Sequence, residues 1–282
     1  MNPQEYCKQK TKESHSNFLS AFIFLNKEKK NALIALYAFC REVDDIADEC
    51  KDNKIGKDKL NWWRSEINRL YDKNPQHPVT IALEPYISKY NLNKLYFIEI
   101  IDGMEMDLIF NRYKNFKQLQ LYCYRVASTV GILSAHIFGF KDNKTLTYAH
   151  NLGIALQLTN IIRDLREDAE RGRIYIPLDE LKKFNITESE ILKNIKDKKI
   201  KDLVINQAKR AQGFYKLAIN NLSNLDKKNQ KPGLIMANIY YVLLSKIIKD
   251  QPENILNQKT LLTQYKKLQI ALLTFFNCEW IK

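Results

Sequence analysis

The stretch NALIALYAFCREVDDIADE, residues 31–49, joins an apolar run to a dense group of acids. Residues 42–49 alone contain three aspartates and two glutamates. Like charges this close together destabilise a helix unless solvent or a cation compensates them. The stretch therefore predicts a long helix whose acidic end either faces water or binds a cation.

Four polar residues of this helix fall on one face. Tyr37, Arg41, Asp44 and Asp48 have offsets of 0, 4, 7 and 11 residues. At about 100° per residue, all four project from one arc of about 60°. A polar stripe on an otherwise apolar helix faces either water or a polar cavity.

A second stripe with nearly the same spacing lies more than 100 residues further along the chain. In QLTNIIRDLRED, residues 157–168, the offsets of Gln157, Asn160, Asp164 and Asp168 are 0, 3, 7 and 11. These side chains also share one helical face, within an arc of about 80°. Two distant helices are thus predicted to present rows of amide and carboxylate oxygens.

Such oxygen-rich stripes suit a hard cation such as Mg²⁺. Mg²⁺ usually accepts only one or two carboxylates and completes its shell with water and substrate phosphate. We therefore expect facing stripes to bind Mg²⁺ together with a diphosphate, while Arg41 and Arg163 pair with the remaining phosphate charge. The competing interpretation is that each stripe is only a solvated helix face, since Asp pairs at this spacing are common on exposed helices.

The fold class follows from periodicity and composition. Apolar residues recur at helical spacing almost throughout, and only 8 glycines and 7 prolines interrupt 282 residues. No linker or internal repeat divides the chain, so we predict an all-α bundle around a central cavity, with 1–282 as a single domain. The predicted helices are 16–25, 29–50, 57–72, 76–89, 92–111, 116–138, 143–169, 187–222, 232–250 and 258–277, with breaks at 171–177 and 221–233.

The net charge of +13 is compatible with several kinds of binding partner. The basic residues are dispersed and form no nucleic-acid-binding motif, so no nucleic acid is expected as a partner. A Lys-rich surface in contact with anionic lipid and a merely solvated one both remain open. Five scattered cysteines, without a metal-ligand spacing, favour reduced thiols in a cytoplasmic protein, and no signal peptide or membrane span is expected.

The two stripes resemble the aspartate-rich motifs of the squalene/phytoene synthase family. YAFCREVDDIADE, residues 37–49, is similar to the first motif, and QLTNIIRDLREDAERGRIYIP, residues 157–177, to the longer second one. The resemblance covers about residues 14–275. The segments 62–71, 74–80, 101–108 and 122–139 are most similar to bacterial presqualene diphosphate synthases of hopanoid-type pathways.

The resemblance implies an isoprenoid synthase-type fold and Mg²⁺-dependent, head-to-head coupling of two farnesyl diphosphates to presqualene diphosphate. It also implies roles for individual positions. The catalytic residues would be Arg41, Tyr122, Arg163 and Tyr240. The substrate-binding residues would be Phe18, Tyr37, Arg41, Val126, Gln157 and Lys259. The metal ligands would be Asp44, Asp48, Asn160, Asp164 and Asp168. The resemblance also places Gly131 beside the prenyl chains. Lys259 stands where relatives tend to carry an arginine, which weakens bidentate binding of the second diphosphate.

Other functions fit parts of the same pattern. Within the family, the chain could form phytoene from C20 diphosphates, or carry presqualene diphosphate on to squalene with NADPH. No Gly-rich dinucleotide fingerprint occurs, although similar synthases can bind NADPH without one. We expect the reaction to stop at presqualene diphosphate without NADPH, and a separate downstream enzyme would complete squalene. A catalytically silent assembly factor of the same fold is the non-enzyme alternative, but such relatives lose acidic motif residues that are intact here.

Overall fold

The computed structural model describes residues 2–13, 24–50, 52–195, 197–250 and 252–277. Helices follow one another through these ranges, and no strand occurs within them. One isolated parallel bridge joins Arg112 to Ile174. The α-helices are α1 Pro3–Glu13, α2 Lys27–Glu49, α3 Asn53–Tyr71, α4 Pro78–Lys89, α5 Lys94–Ile109, α6 Phe116–Cys123, α7 Thr129–Phe138, α8 Lys144–Arg163, α9 Leu165–Glu170, α10 Leu178–Lys183, α11 Glu188–Leu192, α12 Lys198–Asn221, α13 Lys231–Lys249 and α14 Gln264–Asn277, with a π-helical turn at Tyr124–Ser128 and a 3₁₀ turn at Pro252–Asn254.

Short polar side chains fix where the long helices begin. Asn26 accepts a hydrogen bond from the backbone N–H of Lys29 at the start of α2, over 2.9 Å. Asp52 does the same for Lys54 in α3, and Asn93 for Leu95 in α5. Each cap satisfies a backbone donor that the first helical turn leaves unpaired.

The all-α prediction is confirmed, and most predicted helices are present within a few residues of their predicted ends. The predicted helix 187–222 is wrong in one respect. Asn194 adopts a left-handed φ of 53° and Asp197 caps a new helix, so α11 and α12 are separate. The predicted helix 16–25 lies mostly outside the described residues, and its last two residues form a turn. Helix α1, which no prediction included, packs along α2 and α4.

Helix α8 is the central element of the core. It packs against α12, α7, α13 and the π-helical turn. Two glycines permit the closest approaches, because a Cβ on Gly153 would lie 2.5 Å from the Cα of Ser128, and one on Gly131 2.7 Å from the Ala149 carbonyl oxygen. This packing sets α8 beside the π-helical turn, with the cavity between them.

Among the described residues, none of the helices combines the length and the apolarity that crossing a bilayer requires.

Candidate active site

A cavity of about 240 Å³ lies between α2, α5, α7, α8, α13 and the π-helical turn. Its walls are mostly apolar, with polar side chains at the end of α2 and in the second half of α8. Its lining residues include Tyr37, Cys40, Arg41, Asp44, Met104, Tyr122, Val126, Gly131, Phe138, Tyr148, Leu152, Leu156, Gln157, Asn160, Met236 and Tyr240. A deep apolar space with a few polar groups at one end suits a ligand that has a hydrocarbon tail and a charged head.

The stripe on α2 reaches this cavity through Tyr37, Arg41 and Asp44. The Arg41 guanidinium forms ion pairs with both Asp44 and Asp45. Asp45 is paired on its other side with Lys10 of α1, over 2.8 Å. Arg41 is therefore held in place by two carboxylates, one on the cavity wall and one behind it.

The stripe on α8 reaches the same cavity through Gln157 and Asn160. The Asn160 amide nitrogen donates a long hydrogen bond to the Gln157 side chain, over 3.5 Å. Its Oδ1 atom is buried and accepts no hydrogen bond from any described residue. A buried amide oxygen without a donor is costly, so a ligand that supplies a positive charge would be favoured there.

Asp164 forms the end of α8, where the predicted helix 143–169 is interrupted. Its carboxylate accepts a hydrogen bond from Arg163 Nε over 2.8 Å and is paired with Lys259 over 2.9 Å. Burial alone would raise the pKa of Asp164, but Arg163 and Lys259 outweigh it and lower that pKa. Arg163 also hydrogen-bonds to Tyr240, which lines the cavity. Lys259 further contacts Glu167 over 2.6 Å.

Two arginines after α9 join the two stripes. Arg171 and Arg173 each donate a hydrogen bond to the Asp48 carboxylate, over 2.9 and 2.7 Å. Arg173 also donates to the carbonyl oxygen of Ala47 over 2.7 Å. The end of the second motif is thereby bonded to the last turn of the first motif, so both stripes meet at one end of the cavity.

A third carboxylate, Asp107 of α5, lies between the stripes and was missed by the sequence analysis. It accepts hydrogen bonds from the hydroxyls of Tyr122 and Tyr175, over 2.7 and 2.8 Å. Burial raises its pKa to about 7 against the lowering effect of these hydroxyls and of Arg173. The one signal in the sequence is an acid flanked by the apolar residues 106 and 108, which are buried.

Two other acids at this end, Asp44 and Asp168, also have raised pKa values. Burial raises the pKa of Asp44 to about 6, with further contributions from Asp48 and Asp45 and an opposing one from Arg41. Burial raises the pKa of Asp168 to about 7, and both Asp164 and Asp107 add to that shift. Because Asp44 acts on Asp107 and Asp107 on Asp168, the three carboxylates form one repulsive group that a cation would stabilise.

Val126 lines the cavity from the π-helical turn. The turn approaches α5 so closely that a Cβ on Gly103 would lie 2.6 Å from Val126 Cγ1. A π-helical turn places an extra residue in the helix and often occurs at functional sites. Here it directs the side chain of Val126 into the apolar part of the cavity.

The structure thus brings most predicted site residues together. Tyr37, Arg41, Asp44, Tyr122, Val126, Gln157, Asn160 and Tyr240 line the cavity, as does Gly131. Asp48, Arg163, Asp164 and Lys259 surround its polar end through the contacts described above, and Asp168 interacts electrostatically with Asp164 and Asp107 there. Phe18 lies outside the described residues.

The donor atoms at the polar end fit a hard cation. They are carboxylate and amide oxygens, and the buried Asn160 Oδ1 lacks a donor among the described residues. In the part of the chain that the structure describes, no three His, Cys, Asp or Glu side chains stand close enough to hold a metal ion by themselves. A cation at this site would therefore need oxygens from a further ligand, as Mg²⁺ commonly takes from phosphates.

Comparison with known proteins identifies the family. The family model for squalene/phytoene synthase matches residues 11–266. The chain is 33% identical to a phytoene synthase of Arthrospira platensis over 277 residues, which cover 94% of this chain and 89% of that protein. It is 34% identical to a chloroplastic phytoene synthase of Daucus carota over 254 residues, covering 88% of this chain and 64% of the relative.

Solved structures show the same architecture. A dehydrosqualene synthase in complex with a ligand superposes with a TM-score of 0.85 at 26% identity, covering 96% of this chain and 94% of that one. The squalene synthase HpnC from Alicyclobacillus acidocaldarius gives a TM-score of 0.80 at 25% identity, covering 88% and 94%. The predicted isoprenoid synthase-type fold is confirmed. With the matching family model, these likenesses establish that the chain belongs to the squalene/phytoene synthase family of prenyltransferase-type isoprenoid synthases.

Proposed function

We propose that this chain catalyses the Mg²⁺-dependent, head-to-head condensation of two farnesyl diphosphates to presqualene diphosphate. The observation that carries the proposal is the meeting of both acidic stripes at one end of an apolar cavity. The bonds from Arg171 and Arg173 to Asp48, and the position of Asp107 between the stripes, support a single diphosphate site rather than two separate ones.

In this proposal, Asp44, Asp48, Asn160, Asp164 and Asp168 hold Mg²⁺ together with the diphosphates, and Asp107 lies among them. When bound, Mg²⁺ supplies Lewis-acid neutralisation of the charge that grows on the leaving oxygen. Arg41 and Arg163 are placed to bind the remaining phosphate charge, and Arg does so bidentately. Lys259 contributes a point charge at the same end of the cavity.

The reaction begins when the C1–O bond of one farnesyl diphosphate breaks and its electron pair leaves with pyrophosphate. The C2–C3 double bond of the second molecule attacks C1, and loss of a proton closes the cyclopropane ring. Cavity-wall side chains such as Val126, Leu152 and Met236 exclude water, which would quench the allylic cation. The ring faces of Tyr122 and Tyr240 stabilise that cation.

The neutral phenol of Tyr122 suits a site at which a carbocation forms. Burial raises its pKa well above the ordinary value, and Asp107 adds to the shift, so the phenol stays neutral. Its hydroxyl donates to Asp107, so the phenol oxygen would accept a proton from the substrate as its own proton passes to the Asp107 carboxylate. The released pyrophosphate is the other candidate for the proton acceptor.

Bulky residues at the apolar end of the cavity support the C15 substrate. Tyr148 lies nine residues before Gln157 on α8, about 13 Å along the helix axis from the polar end. Tyr148 is buried against Gly233, and Phe138 lines the same cavity. These rings limit the depth available to a prenyl chain, and a C20 chain needs room for one more isoprene unit than a C15 chain.

Phytoene formation from two geranylgeranyl diphosphates is the second candidate. The specific observation in its favour is that the relatives at 30–34% identity include phytoene synthases of cyanobacteria and plants. Both candidates use the same polar site, so the depth of the cavity decides between them.

Product analysis tests the proposal directly. The purified protein is incubated with Mg²⁺ and either farnesyl or geranylgeranyl diphosphate, with and without NADPH, and products are identified by mass spectrometry. We expect presqualene diphosphate from farnesyl diphosphate under both nucleotide conditions, for a separate squalene-forming enzyme to consume. Phytoene from geranylgeranyl diphosphate, without turnover of the C15 substrate, would establish the second candidate. No product from either substrate would overturn both.

A further inference from the structure

The outer face of helix α14 is apolar and exposed. Tyr265 and Phe276 are 78% and 75% exposed, at opposite ends of the helix. Leu268, Leu272 and Leu273 between them are 40–49% exposed. At about 100° per residue these five side chains share one arc of about 140°. We call this surface the α14 face.

The opposite side of α14 packs against the rest of the protein. Ile270, Ala271 and Thr274 are buried, and Thr274 accepts a hydrogen bond from Asn238 of α13 over 2.9 Å. A helix that packs with one side against the core ordinarily presents polar residues on the other. The α14 face therefore exposes large apolar and aromatic side chains that packing among the described residues does not explain.

The charged residues of the segment that carries the α14 face are all positive. No aspartate or glutamate occurs from residue 254 to residue 277, whereas this segment contains Lys259, Lys266 and Lys267. Lys246 of α13 lies beside this segment, since it donates to the carbonyl oxygen of Leu261, and it is also paired with Asp250 over 3.8 Å. An apolar face on a segment that carries lysines and no acids complements a surface that is apolar inside and anionic at its edge.

The same segment borders the polar end of the cavity. Lys259 is paired with Asp164 over 2.9 Å. Burial lowers the pKa of Lys267, in the first turn of α14, and the charge of Arg163 lowers it further. The α14 face therefore begins close to where a diphosphate would bind.

We propose that the α14 face docks this protein on an anionic lipid surface, with the polar end of the cavity next to the headgroups. The tyrosine and phenylalanine rings insert at the headgroup level, and the lysines bind the phosphates of the lipid. This inference rests on the proposed function in one respect. Docking would benefit an enzyme whose substrates and products partition into lipid, as prenyl diphosphates and their products do. The binding itself is measured without catalysis.

Cosedimentation with vesicles tests the docking. The full chain is mixed with vesicles of phosphatidylcholine containing about 30% phosphatidylglycerol, or of phosphatidylcholine alone, at low and high salt. We expect binding to the anionic vesicles that weakens with salt. The triple variant Tyr265→Ser, Leu268→Ser, Phe276→Ser should lose about tenfold or more of this partitioning, because each serine removes an inserting apolar group.

A matched control separates this face from general surface apolarity. Leu95→Ser, Leu217→Ser and Leu225→Ser remove three leucines that are 50–68% exposed elsewhere, and this variant should bind like the wild type. Wild-type protein that ignores anionic vesicles, or equal binding by the α14 triple variant, would overturn the proposal. So would sedimentation of the wild type as a dimer that the α14 variant converts to a monomer, since a second copy would then cover the face. None of these outcomes depends on which prenyl diphosphate is turned over.

Discussion

Glu66 of α3 and Asp168 of α9 are both acids within the helical assembly, but their surroundings differ. Glu66 is fully buried and accepts hydrogen bonds from the Thr80 hydroxyl and from the backbone N–H groups of Gln76 and His77, the latter two over 2.7 and 2.8 Å. Burial alone would raise the pKa of Glu66, and these hydrogen bonds outweigh it and lower that pKa. No described residue donates a hydrogen bond to the Asp168 side chain, and burial raises its pKa to about 7.

Asp226 repeats the first pattern. It is fully buried, and it accepts hydrogen bonds from the backbone N–H groups of Lys141 and Asp142 and from the Thr145 hydroxyl, over 2.7–3.0 Å. Asp44 and Asp107 share the raised pKa of Asp168, at about 6 and 7, although Asp44 is paired with Arg41 and Asp107 accepts hydrogen bonds from two tyrosine hydroxyls. The two scaffold acids are stabilised as carboxylates by the fold, whereas at Asp44, Asp107 and Asp168 the partners within the fold do not offset burial and mutual repulsion, which a bound cation would relieve.

The largest expected effect comes from neutralising the cavity acids. Asp44→Asn and Asp164→Asn should each lower kcat/KM by about 10²-fold or more, because they remove charges that bind Mg²⁺ and diphosphate. Steady-state kinetics at saturating Mg²⁺ measures this loss. Asp58→Asn, an exposed carboxylate on α3, is the matched control and should leave turnover unchanged. Near-normal turnover in both site variants would refute the metal assignment.

Glu66→Gln should reduce stability and leave activity nearly unchanged, in contrast to the cavity variants. It should lower the free energy of unfolding by about 1–3 kcal/mol, because a neutral amide accepts fewer hydrogen bonds from the groups around Glu66. Activity per folded molecule should stay close to wild type. Chemical denaturation measures stability, and active-site titration gives the activity per folded molecule. A catalytic defect without loss of stability would contradict a purely structural role for Glu66.

Both acidic stripes could be predicted because helical periodicity is a local property of the sequence. The spacing of Asp44 and Asp48, or of Asn160 and Asp164, fixes a shared helix face without knowledge of the fold. The cap of α2 by Asn26 and the break at Gly172, whose φ is +74°, are equally local. A single sequence is therefore enough to predict such features.

The position of Asp107 could not be predicted, because it depends on how α5 packs against α2 and the π-helical turn. Asp102, Glu105 and Asp107 all occur on that helix, but the first two pair with Arg64 on the far side. The break at Asp164 and the polar helix α1 also depend on tertiary contacts, such as the pairing of Lys259 with Asp164. Long-range packing decides these features, and local propensity does not encode it.

The raised pKa values predict an unusual pH dependence of stability in the metal-free protein. A carboxyl whose folded-state pKa lies above its unfolded value stabilises the fold below pH about 4, and that contribution is lost as pH rises through about 7. Wild-type protein should thus lose stability between pH 5 and pH 8. At pH 8, Asp168→Asn should raise the free energy of unfolding by on the order of 1 kcal/mol, because the amide carries no charge for Asp164 and Asp107 to repel. The gain is limited to this size because solvent screens part of the repulsion. Urea denaturation at both pH values without metal measures this, and a variant less stable than wild type at pH 8 would contradict it.

The smallest effect concerns Asp45, which positions Arg41 from behind the cavity wall. Asp45→Asn should raise KM about threefold to tenfold with little change in kcat, because Arg41 loses one of its two carboxylate partners. Glu42→Gln is the matched control, since Glu42 contacts Tyr6 and Lys10 and has no contact with Arg41 among the described residues. Equal KM changes in both variants would indicate a general disturbance of α1.

The central claim is that acids on two distant helices bind Mg²⁺ jointly and only when a diphosphate bridges them. Thermal unfolding with Mg²⁺ alone, pyrophosphate alone and both together tests it most directly. We predict that the two ligands together raise Tm by several degrees more than the sum of their separate effects. This excess should disappear in Asp44→Asn and in Asp164→Asn. Saturable stabilisation by Mg²⁺ alone, or an excess that persists in both variants, would contradict the claim.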